Sequence, residues 1–123
     1  MTIDANIIIA YLAGDNSVVT RLSEWRKEGK PLFLSAVVET EVLSFSDWTL
    51  QERRSTEQFL EENFRPVSFD RTLARIAGII RAKTKMKFPD AAIAATALYT
   101  QTPIVTRNQR DFKKIAELTV LVI

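Results

Sequence analysis

Five short runs of β-branched and apolar residues, each separated from the next by stretches with helical spacing, limit this chain more than any other feature. Met1–Asp4, Pro31–Leu34, Pro66–Phe69, Pro103–Thr106 and Thr119–Ile123 read as strands. Helices are expected over Ala5–Leu12, Val18–Glu28, Ala36–Phe45, from Asp47 or Thr49 to Asn63, from Arg71 to Thr84 and from Pro89 to Tyr99, with a short one opened by Asn108. Gly14-Asp15-Asn16-Ser17 supplies a turn and an N-cap, Gly29 a stop, and Ser35 and Asp70 further caps. Strands that alternate with helices pair in parallel through crossovers. The expected fold class is therefore α/β: a three-layer α/β/α sandwich around a parallel sheet of four to five strands. The 123 residues fit one domain spanning 1–123. No apolar run approaches the roughly 20 residues of a membrane helix. The start, Met1-Thr2-Ile3-Asp4, has neither the basic nor the long apolar stretch of a secretory signal. A cytoplasmic chain with no membrane partner is the expectation.

In a sheet of this kind, ligands bind beyond the carboxyl ends of the strands. Asp4, Ser35, Asp70 and Thr106 all fall just after expected strands. Glu41 is read as lying inside the apolar arc drawn by Val37, Val38 and Phe45, where an unpaired carboxylate costs several kcal/mol. Glu39 is read as pointing the opposite way, into solvent. Asp90 opens an alanine-rich helix, and its i+3, i+4 and i+7 neighbours Ile93, Ala94 and Ala97 are apolar. Asp111 follows the fourth strand closely, in company with Thr106 and Asn108. Each carboxylate also has a plain structural role open to it: N-cap for Asp4, first-turn dipole partner for Asp90, surface residue for Asp111, an arginine-paired glutamate for Glu41.

The chain contains no histidine and no cysteine. That removes Ser-His-Asp and Cys-His catalysis, Cys/His zinc sites and disulfides. Several carboxylates gathered at one sheet edge would raise one another's pKa unless a cation neutralised them. With only oxygen donors to offer, the cation that suits them is Mg²⁺ or Mn²⁺. The net charge of +2 hides an acidic half, 1–70, with 7 Lys/Arg against 12 Asp/Glu, and a basic half, 71–123, with 10 against 3. Arg71, Arg75, Arg81, Lys83, Lys85 and Lys87 form one basic cluster; Arg107, Arg110, Lys113 and Lys114 form a second. Such a balance suits either a polyanion such as nucleic acid or a solvated helix face.

These residues, in this order, resemble the PIN-domain family of metal-dependent ribonucleases, and within it the VapC-type toxins of toxin–antitoxin pairs. The likeness runs from Ile3-Asp4-Ala5-Asn6 through Ser35…Glu41-Val42-Leu43 and Pro89-Asp90-Ala91-Ala92-Ile93-Ala94-Ala95-Thr96-Ala97-Leu98 to Ile104-Val105-Thr106-Arg107-Asn108…Asp111-Phe112. It implies a PIN-like (Rossmann-like) sandwich and an acidic cluster of Asp4, Glu41, Asp90 and Asp111, both catalytic and metal-holding, with Asn6, Thr106 and Asn108 as accessory polar positions. It also implies RNA as substrate, a cognate antitoxin as partner, and a homodimer. Arg71, Arg75, Arg81, Lys83, Lys85, Lys87, Arg107 and Arg110 would then hold the RNA backbone. One departure stands out. Lys85-Met86-Lys87-Phe88 occupies the place where the family often has a glycine-containing loop.

Trp25, Trp48, Phe45 and Phe59 are read either as core or as a groove for an antitoxin helix or a second copy. Two rival phosphoryl-transfer folds fit less well. A haloacid-dehalogenase site needs an Asp two residues after the first, where this chain has Asn6, and a receiver domain has paired acids where there is only Asp4. A non-catalytic RNA- or protein-binding module of the same fold is the other alternative.

Overall fold

A computed structural model describes all residues, 1–123. Its strands are β1 (Thr2–Ile3), β2 (Phe33–Ser35), β3 (Arg65–Val67), β4 (Ile104–Val105) and β5 (Val120–Leu121). They form one sheet in the order β3-β2-β1-β4-β5, with every neighbouring pair parallel. Seven helices flank it: α1 (Ala5–Leu12), α2 (Asn16–Lys27), α3 (Ala36–Val42), α4 (Leu50–Asn63), α5 (Arg71–Thr84), α6 (Phe88–Thr100) and α7 (Gln109–Phe112). The chain winds outward from β1 to β3, then crosses back to β4 and winds the other way to β5. Right-handed crossovers in opposite directions place helices on opposite faces. The order reverses between β1 and β4, and the crevice at the carboxyl ends of those two strands is where a doubly wound sheet offers a binding site. No helix is long and apolar enough to cross a membrane.

Local chemistry accounts for most element boundaries. Asp15 accepts from the backbone N–H of Ser17 and Val18, so α2 starts two residues before the expected Val18. Between the two candidate caps of α4, the chain uses Thr49: its hydroxyl accepts from Glu52 N–H while the Glu52 carboxylate accepts from Thr49 N–H. Arg65 N–H donates to Leu32 C=O, which draws β3 one residue earlier than expected and leaves Pro66 on an edge strand, where a missing donor is tolerated. α3 stops at Val42, three residues short of the expected Phe45.

The core is a single cluster of 27 buried apolar residues. At its centre lies α6, whose residues Ala91 to Ala97 are all buried. Alanine lets α5 and the sheet approach this helix closely. Thr96, the one polar residue of that run, donates its hydroxyl to Ala92 C=O, so no buried polar group is left unpaired. The result is a rigid rod whose first turn carries Asp90 to the β1–β4 crevice.

Candidate metal centre

Asp4 ends β1 and serves as N-cap of α1. Its backbone N–H donates to Val105 C=O, which locks it against β4. Its carboxylate accepts from Thr106 Oγ1 at 2.7 Å, from Ala5 N–H at 2.7 Å and from Asn6 Nδ2 at 3.3 Å. Thr106, fully buried at the end of β4, also accepts from Asn6 Nδ2 and from Asn108 N–H. Asn6 is held from its other end, where Arg107 N–H donates to its Oδ1 at 3.2 Å. Asn108 heads α7 without capping it through its side chain; its Nδ2 donates instead to Asp111 Oδ2. The three polar residues thus fix the orientation of Asp4 and Asp111.

Asp90 is half-buried in the first turn of α6. Glu41 stands on α3, which follows β2. The structure corrects the sequence reading here. Glu41 is exposed and Glu39 is half-buried, the reverse of the expectation. The buried stripe of α3 is Val38 and Val42. Phe45, which widened the expected arc around Glu41, lies beyond the end of the helix and is itself exposed.

Asp4, Asp90 and Glu41 are each raised, first by burial and then by neighbouring acids. Burial pushes Asp4 above its ordinary range, and the charge of Asp111 raises it further, against the hydrogen bonds from Thr106 and Ala5. Asp90 is raised by burial and then by Asp111 and Asp4, with Lys87 opposing. Glu41 is raised by partial desolvation, then by Asp4 and Asp90. No three of these side chains converge closely enough, as they stand, to hold one ion between them. Asp4 and Asp111 are held by hydrogen-bonding neighbours, while the carboxylates of Glu41 and Asp90 accept no hydrogen bond.

All eight expected RNA-contacting residues are exposed. Two are already engaged. The Arg107 guanidinium contacts Asp15 Oδ2 at 2.6 Å and donates to the Ile123 backbone oxygen at 3.1 Å. Arg81 Nε donates to Met86 C=O at 3.1 Å. Arg71, Arg75, Lys83, Lys85, Lys87 and Arg110 make no ion pair. The Asp15–Arg107 tie escaped sequence reading, since nothing local signals a contact between residues so far apart in the chain. The four singled-out aromatics divide. Trp25 is buried, and Phe59 stacks on Tyr11 at 4.7 Å. Phe45 and Trp48 meet edge-to-face at 5.5 Å and line an apolar groove with Ile9 and Leu12, at whose border stands Glu41.

The family model of the PIN domain matches residues 1–118. The chain belongs to the PIN-domain family. Solved PIN-like structures agree over nearly the whole length. A chain of a toxin–antitoxin complex from Klebsiella pneumoniae is 26% identical, with a TM-score of 0.81 over 98% of this chain and 94% of that one. A chain of FitAcB from Neisseria gonorrhoeae is 25% identical, with a TM-score of 0.79 over 98% and 95%. A chain of VapBC2 from Rickettsia felis, solved bound to a DNA fragment from its promoter, shares the fold at 20% identity, with a TM-score of 0.85 over 99% and 97%. No curated protein sequence matches the chain. The expected PIN-like sandwich and VapC-type fold are thus the ones this chain has, with a sheet of five strands.

Proposed function

We propose that this PIN domain is a divalent-metal-dependent endoribonuclease, the toxin of a toxin–antitoxin pair. The observation that carries the proposal is the placement of Asp4 at the end of β1, Asp90 in the first turn of α6 and Asp111 on α7, with Asp4 and Asp111 oriented by Thr106, Asn6 and Asn108 and with Asp4, Asp90 and Glu41 all raised by burial and neighbouring acids. The donor set suits Mg²⁺ or Mn²⁺ in its chemistry: oxygen only, acidic, and carrying a repulsion that a dication relieves. Asp4, Asp90 and Glu41 would hold the ion and Asp111 would assist. A bound dication lowers the pKa of water and offsets charge on the phosphate.

The chain's own residues supply the rest. Thr106, Asn6 and Ala5 N–H keep Asp4 oriented, and Asn108 does the same for Asp111. Lys87 sets a positive charge near Asp90. The unpaired cations Arg71, Arg75, Lys83, Lys85, Lys87 and Arg110 draw in a phosphate backbone, an attraction that weakens with salt. The apolar groove of Ile9, Leu12, Phe45 and Trp48 suits an apolar helix face from the antitoxin, which would sit beside Glu41.

The test is cleavage of RNA with Mg²⁺ or Mn²⁺. Activity should vanish in EDTA and in Asp4→Asn and Asp90→Asn proteins that retain their fold. Full activity in EDTA or in Asp90→Asn would sink the proposal. Size-exclusion chromatography, alone and with the neighbouring gene's product, tests the homodimer and the antitoxin.

A further inference from the structure

The segment Lys85-Met86-Lys87-Phe88 is a pinned turn, held at several points. Lys85 lies in the left-handed region at φ 58, a conformation that a side chain with a Cβ adopts at a cost and that glycine would adopt freely. Its N–H donates to Arg81 C=O at 2.9 Å and closes α5. Thr84 Oγ1 accepts from Met86 N–H at 3.2 Å, and Arg81 Nε donates to Met86 C=O at 3.1 Å. Met86 is buried in the core, so the turn is anchored by its middle. Lys85 and Lys87, on either side of Met86, are therefore turned outward. Phe88 follows, 43% exposed, its ring held edge-to-face against Phe69 at 5.5 Å and 84°. The turn leads straight into the helix turn that carries Asp90.

Here a ring held by Phe69 stays open to solvent, next in the chain to two exposed lysines and two residues from Asp90. Bases that are not paired stack on exposed aromatic rings, and neighbouring cations hold the phosphates. A duplex offers its phosphates but keeps the faces of its bases covered.

We propose that Phe88 is a stacking platform for an unpaired RNA base, with Lys85 and Lys87 holding the adjoining phosphates, so that this turn makes the chain selective for single-stranded RNA. The proposal rests on the ribonuclease reading for its substrate, but its test does not depend on turnover. A short single-stranded RNA carrying a 5′-fluorescein, and a duplex RNA of equal length, are titrated with the full chain in EDTA and followed by anisotropy. Phe88→Ala should weaken single-strand binding by roughly fivefold to a hundredfold and leave duplex binding unchanged, while Phe88→Trp retains it. Phe88→Leu keeps apolar packing on Phe69 without an aromatic face and should behave like Phe88→Ala. Lys85→Gly suits the left-handed turn, so it removes the charge without undoing the geometry; it should lower the slope of log affinity against log salt by about one. Wild-type single-strand affinity in Phe88→Ala and Phe88→Leu, or equal losses on single strand and duplex, overturns the proposal. If the chain binds in this Phe88-dependent way yet never cleaves, the ribonuclease reading falls and the platform stands. If it cleaves but Phe88→Ala binds as the parent does, the platform falls alone.

Discussion

Arg107 and Asp15 lie 92 residues apart in sequence and meet at 2.6 Å between Nη2 and Oδ2. Asp15 caps α2, and Arg107 follows Thr106 at the end of β4, with its backbone N–H on Asn6. The pair therefore ties the corner between α1 and α2 to the polar clamp around Asp4.

Asp15→Asn isolates that tie, because asparagine caps helices as well as aspartate does. Hydrogen bonds from Arg107 and Ser17 pull the Asp15 carboxyl down from 3.8 to about 2. A lowered carboxyl contributes its stability fully above its ordinary value and loses it as pH falls through the folded one. Asp15→Asn should lower Tm by roughly 1–3 °C at neutral pH, a modest figure because the pair is solvent-exposed. Thermal melts across pH should show the gap closing between 3.8 and about 2. A gap that persists at the acid end would assign the loss to the cap instead.

Asp90→Asn should stabilise the metal-free chain. Burial, Asp111 and Asp4 raise this carboxyl above its ordinary 3.8. The folded state then binds its proton more tightly than the unfolded one, so ionisation costs stability as pH rises from 3.8 to the folded value and the full cost persists above it. In EDTA at neutral pH the variant should melt roughly 2–4 °C higher than the parent. Below pH 3.8 the advantage should disappear. A lower Tm at neutral pH would mean that Asp90 makes a favourable native contact that outweighs the repulsion.

Adding Mn²⁺ should reverse that order. A ligand that binds only the folded chain raises its stability with the logarithm of its concentration. The parent's Tm should climb steadily with Mn²⁺, while Asp4→Asn and Asp90→Asn respond little. Equal shifts in all three proteins would place the ion elsewhere.

Thr106→Val replaces a buried hydroxyl with a methyl of nearly the same size. Asp4 loses its 2.7 Å donor, and Asn6 Nδ2 and Asn108 N–H lose an acceptor. Urea unfolding should show a loss of about 1–3 kcal/mol, with Thr106→Ser close to the parent. Ribonuclease activity should fall in Thr106→Val even where the protein is fully folded. Unchanged stability would show that water replaces the hydroxyl.

The alternation of strand and helix was legible because periodicity and caps are local, and Ser35, Thr49 and Asp70 cap the helices they precede. Strand order was not legible, as nothing local says that β4 returns to the far side of β1. The rim positions of Asp4 and Thr106 followed from the parallel-sheet rule, and Asp90 from its place at the head of an alanine helix. The exposure of Glu41 was not legible, because α3 ends at Val42 and leaves Phe45 outside the helix, so the buried stripe is only Val38 and Val42 and Glu41 flanks it. The commitment of Arg107 to Asp15 depends on tertiary approach, so charge counting assigned that arginine to RNA alone.

The burial of Ala91 through Ala97 has a consequence for where this chain can tolerate change. A rod packed on every side offers no position where a larger side chain could retune the carboxylate at its tip, since overpacking a core costs about 1–3 kcal/mol. The turn in front of it buries only Met86, and its exposed side chains at Lys85 and Lys87 can change without disturbing the core. Change at this end of the molecule is therefore cheaper in the exposed side chains of the turn than in the helix that carries Asp90.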